Sequence, residues 1–298
     1  MDERTALRVL ADTLPAAGDD AAVVDDLVVT TDMLHETTDF PPGTTRYTAG
    51  WRAVGASLSD VAAMGVPALA AVAAYAAPRF DETELAAFLD GARDVSDRVD
   101  AAYVGGDLDH HEEFTVATTA IGRAGDAEPV RRSGASPGEV VCVTGSLGRS
   151  AAGLRAFERG DTDRGNDLFR FSPRIHEGER LAADATAMMD SSDGLARSLH
   201  QLAEASDCGF AVDSAQVPVH DALRSYAEAD EVWDLAAQFG EDFELVCTLP
   251  SGAVDGASVA LNAVGTPLSV VGRVVDADEG ITVDGDSLSD RGYTHGQE

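Results

Sequence analysis

Lysine is missing from all 298 residues, so each of the 21 basic side chains is an arginine. That excludes a Gly-rich phosphate loop ending in Lys, and it excludes the protein-kinase arrangement, which depends on a strand lysine. Cysteine is scarce. Cys142, Cys208 and Cys247 lie far apart, are odd in number and lack CxxC spacing, which argues against both a disulfide framework and a zinc site. They read as buried packing residues. No long apolar run is present, and Met1-Asp2-Glu3-Arg4 leads into mixed sequence with no positive start. The expectation is neither a secretory signal nor a membrane span, and hence a cytoplasmic protein. The seven His show no HxxxH or HExxH pattern; His110-His111 read as a solvated loop, and no Ser/His/Asp or Cys/His nucleophile signature occurs.

What the chain has in excess is carboxylate. Asp and Glu number 53 and the formal net charge is -32, which excludes nucleic-acid binding by electrostatics. In dilute salt such self-repulsion destabilises a compact fold. At 1 M salt the Debye length falls to about 3 Å and the repulsion is screened. The composition therefore points to a high-salt cytosol. Hydrophobic residues at 44% exclude a disordered chain, and the length exceeds the usual size of one domain.

Strand-like and helix-like stretches alternate. Ala21 to Val24 and Leu27 to Thr31 predict a hairpin turning at Asp25-Asp26. Trp51 to Met64 predicts a small-residue helix stopped by Gly65-Val66-Pro67, with a strand at Leu69 to Tyr75. Asp81 to Val99 has helical apolar spacing with Asp81 and Glu84 placed as a capping box. After a strand at Phe114 to Ile121 comes a polar segment, and the pattern restarts with a strand at Glu139 to Val143 and a helix to about Arg159. Further helices are expected around Ile175 to Asp184 and Gly194 to Ser206, and strands around Phe243 to Leu249 and Leu268 to Val274. The expectation is an α+β (mixed α/β) fold in two domains, residues 1–135 and 136–298.

Five motifs place Asp beside Gly, Ser or Thr where an element is expected to end: Gly18-Asp19-Asp20, Thr30-Thr31-Asp32, Ser59-Asp60, Gly106-Asp107 and Asp190-Ser191-Ser192-Asp193-Gly194. One such Asp reads as a solvated turn in an acidic protein. Together they read as a multi-magnesium nucleotide site, because Mg²⁺ shared with phosphates needs hard oxygen ligands. With lysine absent, phosphate charge falls to Mg²⁺, backbone N–H groups and Arg. Arg131-Arg132-Ser133-Gly134, at the expected domain junction, is the best Arg candidate. Gly145-Ser146-Leu147-Gly148 reads as a strand-to-helix turn.

In order, the motifs GDDAAVV (18–24), TTDML (30–34), SLSDVAAMG (57–65), GGD (105–107), RSGASPGE (132–139), VTGSLGRSAAGL (143–154), SPRIHEG (172–178), DSSDGL (190–195), ASDCG (205–209) and GEDFEL (240–245) resemble the thiamine-monophosphate kinase family. Its superfamily also holds aminoimidazole ribonucleotide synthetase, selenophosphate synthetase and a hydrogenase-maturation factor. The resemblance implies two α/β domains, with the N-terminal sheets pairing across a homodimer, and ATP-dependent phosphorylation of thiamine monophosphate with Mg²⁺. It places Asp20, Thr30, Thr31, Asp32, Asp60, Asp107, Asp190 and Asp193 on metal ligands, with Gly106, Asp107, Arg132 and Ser192 at ATP. Asp32, Asp107 and Arg132 would carry the catalytic charge. Glu241 and Tyr293 match positions that hold the thiamine moiety. One departure stands out: many members carry a substrate-contacting His after the TTD strand, where this chain has Asp39, with His35 nearby but out of register. Selenophosphate synthetases resemble one another in an N-terminal Cys or selenocysteine with a Lys, both absent here, and the hydrogenase-maturation relative ends in a Cys. Aminoimidazole ribonucleotide synthetase is the closest rival chemistry, and a non-catalytic nucleotide-binding protein the rival of another class. The acceptor phosphate has a second pKa of about 6, so no general base is needed and transfer is expected to be direct.

Overall fold

The computed structural model of the protein describes residues 3–14 and 16–292. After an N-terminal helix α1 (Glu3–Thr13) come β1 (Ala22–Val24) and β2 (Leu27–His35), joined by the tight turn at Asp25-Asp26. A single helical turn α2 (Glu36–Asp39) leads to α3 (Arg46–Ala63), then β3 (Ala68–Ala77), α4 (Glu82–Asp97), β4 (Ala102–His110) and β5 (Thr115–Arg123). The strands form one sheet in the order β1-β2-β5-β3-β4. Only β3 and β4 run parallel, which requires a crossover, and α4 supplies it. Asp81 caps α4 by accepting from the Thr83 and Glu84 N–H groups at 2.9 and 3.1 Å.

The second half continues with β6 (Val140–Thr144), α5 (Arg149–Glu158), α6 (Thr162–Phe169), α7 (Ile175–Leu181), β7 (Ala187–Asp190), α8 (Leu195–Ser206) and β8 (Cys208–Val212). Then follow α9 (Asp221–Tyr226), α10 (Val232–Gln238), β9 (Leu245–Leu249), α11 (Val254–Asn262), β10 (Leu268–Asp276), β11 (Ile281–Val283) and β12 (Asp286–Ser287). These strands make a seven-stranded sheet in the order β12-β11-β8-β10-β6-β9-β7. All three cysteines are buried and free. Cys142 and Cys247 face each other across β6 and β9.

Helix α3 is the centre of the molecule. It starts five residues ahead of the stretch its small residues predict, capped by Thr45, whose hydroxyl accepts from the Thr48 N–H. Ala, Gly and Ser at half of its positions let neighbours approach closely, and 14 of its 18 residues are buried. It packs against α4, β2, β5, α7 and β7. One apolar cluster therefore runs from Val54, Leu58 and Val61 of α3 into Met188, Leu245 and Cys247 of the second sheet.

Two of the aspartate motifs differ from the expectation of element ends. Thr30-Thr31-Asp32 sits inside β2, which continues to His35, and Gly105-Gly106-Asp107 sits inside β4. Strand β4 passes so close to β3 that a Cβ on Gly106 would lie 1.7 Å from the Ala73 carbonyl oxygen. Gly106 there serves strand packing, not a turn. Among the described residues no helix is long and apolar enough to cross a membrane.

Candidate active site

Two periodicities meet where β2 lies against α3. Side chains two apart on a strand share a face, as do side chains three apart on a helix. Thr30 and Asp32 of β2 accordingly face Ser57 and Asp60 of α3. The Thr30 hydroxyl donates to Asp60 Oδ2 at 2.5 Å, and the Ser57 hydroxyl donates to Asp32 Oδ2 at 2.6 Å. Thr118 of β5 closes the group, 2.7 Å from Ser57 Oγ. Thr31 points the other way; its exposed hydroxyl donates to the Thr118 carbonyl at 2.8 Å.

Three carboxylates converge beside this pair. Asp20 arrives on the loop before β1, Asp60 from the last turn of α3, and Asp190 from the end of β7, each offering an oxygen within 4.8 Å of the others. Burial, then the charges of Asp32, Asp190 and Asp20, hold the Asp60 carboxyl well above the usual range. Burial, followed by the charge of Asp20, pushes Asp190 up to about 7. Burial also raises Asp32, against the Ser57 hydrogen bond that favours its charged form and alongside Glu241, which opposes it. Arg132 is the one cation bonded to the trio's own carboxylates among the described residues: Nε donates to Asp20 Oδ2 at 3.0 Å and Nη2 to Oδ1 at 2.8 Å. Burial works against the Arg132 charge, but Asp20 and then Asp19 and Asp190 outweigh it and raise its pKa.

The donor set fits Mg²⁺. It is all oxygen, crowded with like charge, and Asp190 Oδ2 is buried without a hydrogen-bond partner, an orphan that a hard cation satisfies. The Asp190 turn also carries Ser192, whose N–H donates to Asp190 Oδ1 at 3.2 Å, and the half-buried Asp193 just ahead of the α8 cap.

A cavity of about 400 Å³ opens nearby, with Asp39, Glu158, Glu241, Phe40, Phe169 and Phe239 among the residues that line it. Asp39 accepts from the His35 N–H at 2.6 Å and from the Thr38 hydroxyl at 2.8 Å. The Glu241 N–H donates to the Ser192 carbonyl at 2.6 Å, so the cavity wall is bonded to the Asp190 turn. A lining of aromatic residues and carboxylates suits a flat organic cation.

Of the residues singled out from sequence, Asp20, Thr30, Asp32, Asp60, Asp190 and Arg132 come together at the carboxylate cluster, with Ser192 and Asp193 on the turn that follows Asp190. Asp39 and Glu241 share the cavity. Gly106 and Asp107 stand apart, on the exposed edge strand β4, where Asp107 Oδ1 accepts from the Leu108 N–H at 2.9 Å. Tyr293 lies outside the described residues.

Sequence reasoning missed Arg52, and it quoted Asp19 within the Gly18-Asp19-Asp20 motif without giving it a role of its own. Asp19 accepts from the Arg132 N–H at 3.2 Å, and burial, then Asp20, raises its carboxyl. Arg52 is 1% exposed and forms an ion pair with Glu241. The signal for Arg52 was an arginine among the small and apolar residues of the α3 stretch.

The family described as AIR synthase related protein matches this chain twice, its N-terminal domain over residues 18–124 and its C-terminal domain over residues 136–284. A thiamine-monophosphate kinase of Halobacterium salinarum is 62% identical over 295 residues, covering 99% of this chain and 100% of the relative. The crystal structure of thiamine-monophosphate kinase from Stenotrophomonas maltophilia superposes with a TM-score of 0.83 at 32% identity, covering 94% and 95% of the two chains. A structure described as AaThiL complexed with AMPPCP and TMP superposes with a TM-score of 0.88 at 26% identity, covering 99% and 97%. With both family domains matched in order and a near-full-length relative at this identity, the chain belongs to the thiamine-monophosphate kinases of the AIR synthase related family.

Proposed function

We propose that the protein transfers the terminal phosphate of ATP directly to thiamine monophosphate, giving thiamine diphosphate and ADP. The observation that carries this reading is the adjacency of two unlike sites. The carboxylate cluster around Asp20, Asp60 and Asp190 abuts the aromatic, acidic cavity of Asp39 and Glu241, joined by the Glu241–Ser192 hydrogen bond. The structure described as holding AMPPCP and TMP shares this fold over nearly the whole chain.

Mg²⁺ would be held by Asp20, Asp60 and Asp190, with Thr30, Asp32 and Asp193 beside them, and would neutralise charge between the ATP triphosphate and the acceptor monophosphate, which repel each other. Thr31, which points away from this cluster, and Asp107, which stands apart from it, enter as ligands on the family resemblance alone. The chain's own residues do the rest. Arg132, ion-paired with Asp20 beside the carboxylate cluster, is assigned to offset charge on the transferred phosphoryl. Ser192, on the Asp190 turn, binds the nucleotide, while Gly106 and Asp107 on the exposed β4 strand enter as nucleotide contacts on the family resemblance alone. Glu241, Asp39 and Tyr293 hold the thiamine end, where a carboxylate at position 39 favours a cationic thiazolium. No side chain in the cluster is needed as a base, because the acceptor oxygen is already ionised near neutral pH.

The sheet edge supports a homodimer: β4 is exposed, with Val104 64% and Leu108 51% accessible, and Met33 of β2 is 56% accessible. The two family matches and the two sheets support a domain division at 135/136. The charge of -32 supports a salt-rich cytoplasm.

Release of ADP that requires both Mg²⁺ and thiamine monophosphate tests the reading. ADP formed at the same rate with thiamine monophosphate left out contradicts it.

A further inference from the structure

The loop that carries Glu241 holds a conformation that its residues do not choose for themselves. Gly240, Glu241 and Phe243 have φ of +80°, +65° and +53°. Gly240 is suited to this, but Glu241 and Phe243 are not, and such backbone persists only where the surroundings over-determine it. At Glu241 the fastening is dense. Its N–H donates to the Ser192 carbonyl at 2.6 Å, and its carbonyl accepts from Ser150 Oγ at 2.6 Å and from Arg52 Nη2 at 3.2 Å. The same Nη2 donates to the Glu241 carboxylate.

Arg52 does more than neutralise a charge. Its Nη1 donates to the Phe169 carbonyl at 2.9 Å, and its guanidinium carbon lies 4.4 Å from the centre of the Phe169 ring. Phe169 and Glu241 both line the cavity, and Arg52 does not. A single arginine that is itself 1% exposed thus grips two parts of the cavity wall from behind. It is also eight positions from Asp60 on α3, about 12 Å along the axis at a rise of roughly 1.5 Å per residue. One buried helix therefore sets the distance between the cavity and the carboxylate cluster.

We infer that Arg52 is a positioning residue for the thiamine end of the substrate: it fixes the carboxylate and backbone of Glu241 against Phe169, in register with Asp60. Arginine is required because its planar fork serves the carboxylate, two carbonyls and an aromatic face together, which a lysine ammonium does not. The inference rests on the reading of this cavity as the thiamine site.

The test is steady-state kinetics in molar KCl on the full chain carrying Arg52→Lys, Arg52→Gln, Ser150→Ala or Glu241→Gln, and Arg52→Lys combined with Glu241→Gln. Arg52→Lys raises KM for thiamine monophosphate roughly ten- to hundredfold, the range for a lost charge-assisted hydrogen bond. KM for ATP and the Mg²⁺ dependence stay within about twofold, a split that general loss of packing does not produce. In the Glu241→Gln background the same change adds less than about twofold, since Arg52 acts through Glu241. Should the Arg52 variants not fold, Ser150→Ala loosens the same carbonyl by a small change and raises the same KM in the same direction. An equal rise in both KM values, or a full additional factor in the double variant, overturns the inference. Failure of the wild-type chain to turn over thiamine monophosphate overturns the reading beneath it, and shows before any variant is made.

Discussion

The guanidinium of Arg132 meets the carboxylate of Asp20 through two parallel hydrogen bonds, Nε to Oδ2 at 3.0 Å and Nη2 to Oδ1 at 2.8 Å. The Arg132 backbone N–H donates to Asp19, so the segment between the two sheets is fastened to the loop before β1 at both side chain and main chain. Arg132→Ala leaves Asp20 buried and uncompensated beside Asp60 and Asp190. Turnover is expected to fall about 10²-fold or more, and the metal-free protein to melt at a lower temperature. Arg132→Lys keeps the charge without the fork and recovers only part of the turnover. Kinetics and thermal melts of the two variants check both effects.

Asp60 illustrates a conflict between stability and function. It is crowded by Asp32, Asp190 and Asp20 and receives a hydrogen bond from Thr30. Asp60→Asn removes one member of the repelling group while keeping its shape. The metal-free variant is expected to melt higher than wild type, to gain less from added Mg²⁺, and to lose at least about 10²-fold in turnover. Melts with and without Mg²⁺ read out all but the last, which needs an assay.

The raised carboxyls set a pH dependence. Asp190 titrates near 7 in the folded chain against an ordinary value of 3.8, and Asp60 is shifted in the same direction. Between those values the folded state holds more protons than the unfolded one. The stabilisation this gives is complete below about pH 4 and is lost as the pH rises through about 7. Mg²⁺ competes for the same oxygens, so its affinity runs the opposite way and strengthens from pH 6 to pH 8. Melting temperatures measured across a Mg²⁺ titration at those two pH values should diverge in that sense. An affinity independent of pH contradicts the site.

The charge of -32 makes folding depend on salt. Raising KCl from 0.1 M to molar levels shortens the Debye length from about 10 Å to about 3 Å, so the melting temperature should rise by several degrees. Destabilisation on the same titration removes the high-salt account of the composition.

The two-domain α/β plan and most site aspartates were legible because helix and strand periodicity and small motifs survive in local sequence. The capped start of α4 at Asp81 followed from four adjacent residues. Strand ends were harder: β2 and β4 continue through Thr30-Thr31-Asp32 and Gly105-Gly106-Asp107 because their neighbours β5 and β3 pair with them there. No local residue encodes that pairing. The same holds for Arg52, whose partners Glu241 and Phe169 are 189 and 117 positions away. The departure at Asp39 was visible in sequence, while its place on the wall that holds Glu241 required the fold.

The most direct test of the account is to follow the phosphorus resonances of ATP and thiamine monophosphate with the protein and Mg²⁺ in molar KCl. The account predicts thiamine diphosphate appearing in step with ADP, and no labelled protein when γ-labelled ATP is supplied alone. ADP without thiamine diphosphate, from a sample shown to be folded, contradicts it.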